Sequence, residues 1–209
     1  MIQAVSFSPD TKSLASASND GLVILWDVES GKISKVFDAR TVYLASVSFS
    51  PDGKFIAFGG GDRIVRLWNV KDGTEFHTLK GHGEWIRSIK FSPDGKLLAS
   101  ASYDRTVKLW RVEDGKLLQT LEGHLDPVEN VSFSPDGKTI ASASYDGTVK
   151  LWNLALDHDI LPTAPDRDVP QLSSLIPLPG YHSNSSHESE PNLASAFCQT
   201  PVTPLAPPR

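Results

Sequence analysis

The stretch Phe91–Trp110 reads Phe-Ser-Pro-Asp-Gly-Lys-Leu-Leu-Ala-Ser-Ala-Ser-Tyr-Asp-Arg-Thr-Val-Lys-Leu-Trp and returns nearly unchanged as Phe133–Trp152. Looser copies run from Phe7 to Trp26 and from Phe49 to Trp68, so the Phe-Ser-Pro-Asp turn and the tryptophan both advance by 42 residues. A unit of this length cannot bury its own apolar faces and needs a neighbour stacked on it. Function is therefore to be sought on a composite surface.

Within the third copy, Ile86, Ser88, Ile89 and Phe91 supply the inward positions of a first strand. Their irregular spacing, with Arg87 and Lys90 between them, predicts a bulge. Pro93 presets the first corner of the turn that follows, and Gly95 tolerates its left-handed conformation. Leu97 to Ser102, Thr106 to Val112 and Leu117 to Leu121 read as three more strands, the last two joined by Glu113-Asp114-Gly115-Lys116. Short antiparallel strands recurring at a fixed period have two main solutions, a propeller or an up-and-down barrel or sandwich. The strict phase of tryptophan, turn and aspartate favours the propeller.

Of 209 residues, 20 are Lys or Arg and 25 are Asp or Glu. The segment after Asn153 holds ten of the fifteen prolines, two basic and six acidic residues, which marks a boundary and leaves the array nearly neutral. Near-neutrality argues against a dominant phosphate-binding surface, so nucleic acid is not an expected partner. Cys198 is the one cysteine, which excludes an intrachain disulfide and fits a reducing, cytoplasmic setting. There is no apolar run of membrane-spanning length, and Met1–Asp10 lacks a signal-peptide pattern. Residues 154–209 are too poor in large apolar side chains to form a core and are expected to be a disordered Pro/Ser-rich tail.

Gly81-His82 and Gly123-His124 precede two first strands, Trp26-Asp27 ends one copy, and Trp68-Asn69, Trp110-Arg111 and Trp152-Asn153 stand at the equivalent places. On these residues the chain resembles the WD-repeat β-propeller family over residues 1 to about 153. Its closely similar tandem copies resemble those of bacterial, notably cyanobacterial, and fungal signalling proteins. The resemblance implies an all-β array of four blades, about 1–38, 39–80, 81–122 and 123–153. It also implies an internal hydrogen-bonded tetrad in each complete blade, matched by His82, Ser100, Asp104 and Trp110 and by His124, Ser142, Asp146 and Trp152.

An indole N–H only donates, a hydroxyl donates and accepts, and an imidazole links that hydroxyl to a carboxylate, so such a set satisfies all its members. A Ser-His-Asp set also suggests a hydrolase, but its recurrence in two blades with a tryptophan locking the serine favours a structural role. The expectation is no enzyme, no cofactor and no metal. His158, His182 and His187 lack the spacing of a metal site.

Two copies depart from the pattern. In the second, Ala39-Arg40 replaces Gly-His and Phe58 replaces the serine, so Asp62 and Trp68 lack their tetrad partners, and that blade is expected to be the less rigid one unless Phe58 fills the space by packing. In the first, Ser16, Asp20 and Trp26 have no histidine. The fourth copy stops after Trp152-Asn153-Leu154 with no obvious outer strand, so the array reads as three full blades and one incomplete blade in an open arc. Asp159 to Leu161 is the nearest substitute strand, limited by Pro162. The open faces call for one of three remedies: a longer array, a homodimer closing an eight-bladed ring, or cover by the tail.

Partners of WD-repeat proteins often dock on the narrower top face, through residues near the start of the first strand and just before the tetrad aspartate. Carried over by the resemblance, these are Tyr43, Ala45, Trp85, Arg87, Pro127, Glu129 and Gln3, with Asn19, Gly61, Tyr103 and Tyr145 before the aspartates. Aromatics and arginine dominate interface hot spots, which makes Trp85, Arg87, Tyr103 and Tyr145 the anchor candidates, against a packing role for Trp85 between blades. The resemblance thus implies a non-catalytic scaffold for protein or peptide partners. Its alternative is a sensory fragment of a larger signalling ATPase or kinase, although no phosphate loop or kinase signature is present.

Overall fold

A computed structural model of the chain describes residues 1–154 and the short strand Arg167–Asp168. The first blade is β1 (Ile2–Phe7), β2 (Ser13–Ser18), β3 (Leu22–Asp27) and β4 (Ile33–Asp38). The second is β5 (Leu44–Phe49), β6 (Phe55–Gly60), β7 (Ile64–Asn69) and β8 (Glu75–Lys80). The third is β9 (Ile86–Phe91), β10 (Leu97–Ser102), β11 (Val107–Arg111) and β12 (Leu117–Leu121). The fourth is β13 (Val128–Phe133), β14 (Thr139–Ser144), β15 (Val149–Asn153) and β16 (Arg167–Asp168). Each sheet is an antiparallel meander in sequence order.

The outer position of the fourth blade is not empty, as the sequence suggested. Arg167 and Asp168 pair there with Leu151 and Lys150, giving a two-residue strand where the other blades have five or six residues. Asp159–Leu161 and the tail residues other than Leu154, Arg167 and Asp168 lie outside the described residues.

Local chemistry explains why the sheets repeat. In the third blade Ser92 Oγ donates to Asp94 Oδ1 at 2.6 Å, Lys96 N donates to the same carboxylate oxygen at 3.1 Å, and Leu97 N donates to Ser92 Oγ at 2.9 Å. The Phe-Ser-Pro-Asp sequence thus closes its own hairpin, with Gly95 at φ 73 completing the turn. Thr11 takes the glycine's place in the first blade at φ 61, a conformation that a β-branched residue adopts only under strain. Every first strand carries a register shift near its start, for example between Leu44 and Ser46 in β5, where the irregular apolar spacing predicted a bulge.

Neighbouring blades meet through their inner strands in the order β1, β5, β9, β13, and the four sheets form an open, partial propeller. Buried apolar side chains fall into three clusters, one at each junction. Ala15, Ala17, Val23, Leu25 and Phe37 of the first blade pack on Leu44, Val47, Phe49, Ile56 and Phe58 of the second. Ala57, Val65, Leu67 and Leu79 then pack on Ile86, Ile89, Phe91 and Leu98, and Ala99, Ala101, Val107 and Leu109 on Val128, Val131 and Ile140. Polar links cross the same junctions: Ile89 N donates to Ser46 Oγ at 3.0 Å, and Lys35 Nζ donates to the Val70 carbonyl at 2.7 Å.

Leu98 is fully buried between the second and third blades, whereas Leu117 on the outer strand of the third is exposed. Leu98→Ala should cost about 2–5 kcal/mol in chemical denaturation. Leu117→Ala should stay within about 1 kcal/mol of wild type in the same assay.

Candidate interaction surface

The top face is made by the loops that enter each first strand, residues 39–43, 81–85 and 123–127, and by the turns that carry Asp20, Asp62, Asp104 and Asp146. Beneath two of these turns lies a buried polar chain. His82 Nδ1 is 2.7 Å from Asp104 Oδ2, His82 Nε2 is 2.7 Å from Ser100 Oγ, and Trp110 Nε1 donates to Ser100 Oγ at 2.8 Å. The fourth blade repeats this with His124 to Asp146 at 2.8 Å, His124 to Ser142 at 2.7 Å, and Trp152 to Ser142 at 2.9 Å. A neutral imidazole carrying its proton on Nδ1 satisfies every member: it donates to the carboxylate and accepts the serine hydroxyl, which accepts from the indole.

Burial alone would raise the Asp104 carboxyl, but hydrogen bonds from His82 and Thr106, with the Gly83 N–H, hold it well below the usual carboxylate range. Asp146 is likewise depressed against burial, by Thr148, the Leu125 N–H and His124. These carboxylates also tie the loop that enters the first strand to the turn between the second and third strands.

The other two blades lack this chain. In the first, Trp26 Nε1 donates to Ser16 Oγ at 2.9 Å, while Asp20 turns instead to the Ser18 hydroxyl and the Leu22 N–H. In the second, the Phe58 ring is fully buried and meets Trp68 edge-on at 5.4 Å, much as the His82 ring meets Trp110 at 6.3 Å. Phe58 therefore fills the space by packing. Asp62 has no tetrad histidine to meet, and its carboxylate pairs instead with Arg66 Nη1 at 2.6 Å, because a charged group left there must find a countercharge. Trp68 Nε1 is buried with no acceptor among the described residues. A cleft of about 550 Å³ lined by Asp38, Ala39, Arg40, Arg66, Trp68 and Glu75 opens beside it.

Above this layer the candidate binding residues run across all four blades. Asn19 O accepts the Tyr43 N–H at 3.0 Å, and its side chain accepts from Gln3 Nε2 at 2.8 Å. Tyr43 stacks on Trp85 with ring centres 5.8 Å apart and planes 16° from parallel. Gly61 lies under that stack, where a side chain would press on Tyr43 and Trp85. Arg87 holds Glu129 with its Nε and Nη2 at 3.1–3.2 Å and lies 5.3 Å over the Tyr103 ring. Tyr103 meets Tyr145 edge-on at 6.2 Å. Burial, with hydrogen bonds to Glu129 and Tyr145, pushes the Tyr103 hydroxyl above its ordinary value.

Trp85, Tyr43 and Tyr145 remain exposed, whereas Arg87 and Tyr103 are half-buried in their mutual contacts. Ala45 and Pro127 are only partly exposed. Two exposed residues of these loops, Val42 and Leu125, add apolar area that sequence reasoning missed. Leu125 occupies the place of Gly83 in the third copy, and this apolar exchange inside a near-identical repeat was the signal available.

The repeated four-stranded sheets, the in-phase turn and the buried His-Ser-Asp-Trp chains define a WD-type β-propeller. Residues 2–171 match the family of the echinoderm microtubule-associated protein second beta-propeller, and the chain belongs to that family. No match to a curated protein was found.

Because the Asp104 carboxyl is depressed in the folded state, its contribution is full above the unfolded value of 3.8 and is lost as pH falls through the lower folded value. Asp104→Asn should therefore lower stability at pH 7 by about 1–3 kcal/mol. Its Tm should also fall less than that of wild type between neutral pH and pH about 2, as read by a Tm-against-pH series.

Proposed function

We propose that the chain is a non-catalytic scaffold that binds protein or peptide partners on its top face. The observation that carries this reading is the row Tyr43–Trp85–Arg87–Tyr103–Tyr145, in which exposed aromatic faces are held in place by stacking and by the Arg87–Glu129 pair. Rigid aromatics lose little entropy on binding, and a half-buried arginine beside them suits a hot spot. The Ser-His-Asp sets support the non-catalytic reading, because Ser100 and Ser142 are buried and their hydroxyls accept from an indole, leaving no face for a substrate. The near-neutral array and single Cys198 support a cytoplasmic protein whose partners are not nucleic acids. Among the described residues no helix is long and apolar enough to cross a membrane.

Panning a displayed random-peptide library against wild type and against a Trp85→Ala, Arg87→Ala double variant tests the assignment. Wild type should enrich a common motif and the variant should lose it by at least about tenfold, a 1.4 kcal/mol difference in binding, with Tm nearly unchanged. Equal enrichment by both proteins, or loss of folding in the variant, would assign the row to packing instead. Microtubules are the first assembled partner to offer in a co-sedimentation assay, since the family takes its name from a microtubule-associated protein.

A further inference from the structure

The two end blades carry copies of surfaces that are buried everywhere else in the array. On the first blade, Val5 and Phe7 are 60% and 61% exposed, whereas Val47 and Phe49, one repeat later, are 2% and 8% exposed against the first blade. On the fourth blade, Val149 and Leu151 are 43% and 38% exposed, whereas Val107 and Leu109 are fully buried against the next blade. Ile2, equivalent to the buried Leu44 and Ile86, completes the first face.

These are the two halves of one kind of junction. The three internal junctions all pair a face of Ala, Val and Leu from the second and third strands of one blade with a face of Leu, Ile or Val, then Val or Ile, then Phe from the inner strand of the next. The fourth blade offers the first half through Ala141, Ala143, Val149 and Leu151, and the first blade offers the second half through Ile2, Val5 and Phe7. The polar pattern continues as well. Ser6 Oγ accepts the Phe49 N–H across the first junction at 3.3 Å, and Ser132 stands at the equivalent place in the fourth blade, where the next amide in phase is that of Phe7.

We propose that a second copy of this chain covers both faces, the fourth blade of each copy packing on the first blade of the other to close one eight-bladed ring. The contact joins unlike faces, and a half-turn between the copies makes it twice, so assembly stops at two chains rather than growing into a filament. Contiguous exposed apolar area of this kind is ordinarily an interface, and here its complement is already present on the same molecule. Closing the ring also brings Gln3 of one copy beside Glu129 of the other, in the series in which Arg87 meets Glu129 within the chain. The top-face row described above would then occur twice around one ring.

Light scattering coupled to size exclusion over a hundredfold concentration range tests this on the full chain. Wild type should give a mass near twice 22.7 kDa that does not grow further with concentration. A Val149→Lys, Leu151→Lys variant and a Val5→Lys, Phe7→Lys variant should each run as monomers with wild-type far-UV circular dichroism. An equimolar mixture of the two should recover dimer, because one of its two junctions has both faces intact. A monomeric wild type, a mass that keeps rising with concentration, or variants that stay dimeric would each overturn the proposal.

Discussion

A four-stranded sheet that is apolar on both faces cannot be stable in water by itself, and the whole structure follows from that constraint. The hydrogen-bonded ladder within a blade satisfies the backbone but leaves Val107 and Leu109 on one side and Ile86, Ile89 and Phe91 on the other needing cover. Stacking supplies it in both directions, which is why the clusters lie between blades rather than inside them. The same logic makes the two ends of the array the places where its chemistry is unfinished.

Polar groups carry out a second task, locking the loops above the stack. In the third and fourth blades each aspartate ties the loop entering the first strand to a turn on the top face through histidine and backbone N–H groups. The top-face loops are therefore built on a buried network in these two blades. The second blade fills the same space by different chemistry, with the Phe58 ring in place of the tetrad serine and an Asp62–Arg66 pair in place of the histidine link. Its unpaired indole N–H marks what that substitution leaves unsatisfied.

Most of the fold was legible in the sequence because the repeat imposes one local solution four times. The turn residues, the strand spans around Leu97–Ser102 and Leu117–Leu121, and the bulge at the start of each first strand all follow from residue types at fixed offsets. What was not legible depends on contacts without a repeat signature. The Asp62–Arg66 pair was hidden because Arg66 replaces the Lys of later copies, which reads as an ordinary exposed strand position. Pairing of Arg167–Asp168 with β15 was hidden because two residues of no β propensity carry no pattern, and a strand that short is held by its neighbour alone. The contacts of Trp85 were half visible: it is the one tryptophan outside the 42-residue series, but only the fold brings Tyr43 onto it.

Stability therefore resides between blades and not within them. Far-UV circular dichroism of a peptide spanning residues 81–122, which contains the third blade with its complete hydrogen-bonded tetrad, tests it most directly. The peptide should give an unfolded spectrum with no cooperative thermal transition, against a β-sheet spectrum and a sharp transition for the full chain. A peptide that folded and melted cooperatively by itself would contradict it.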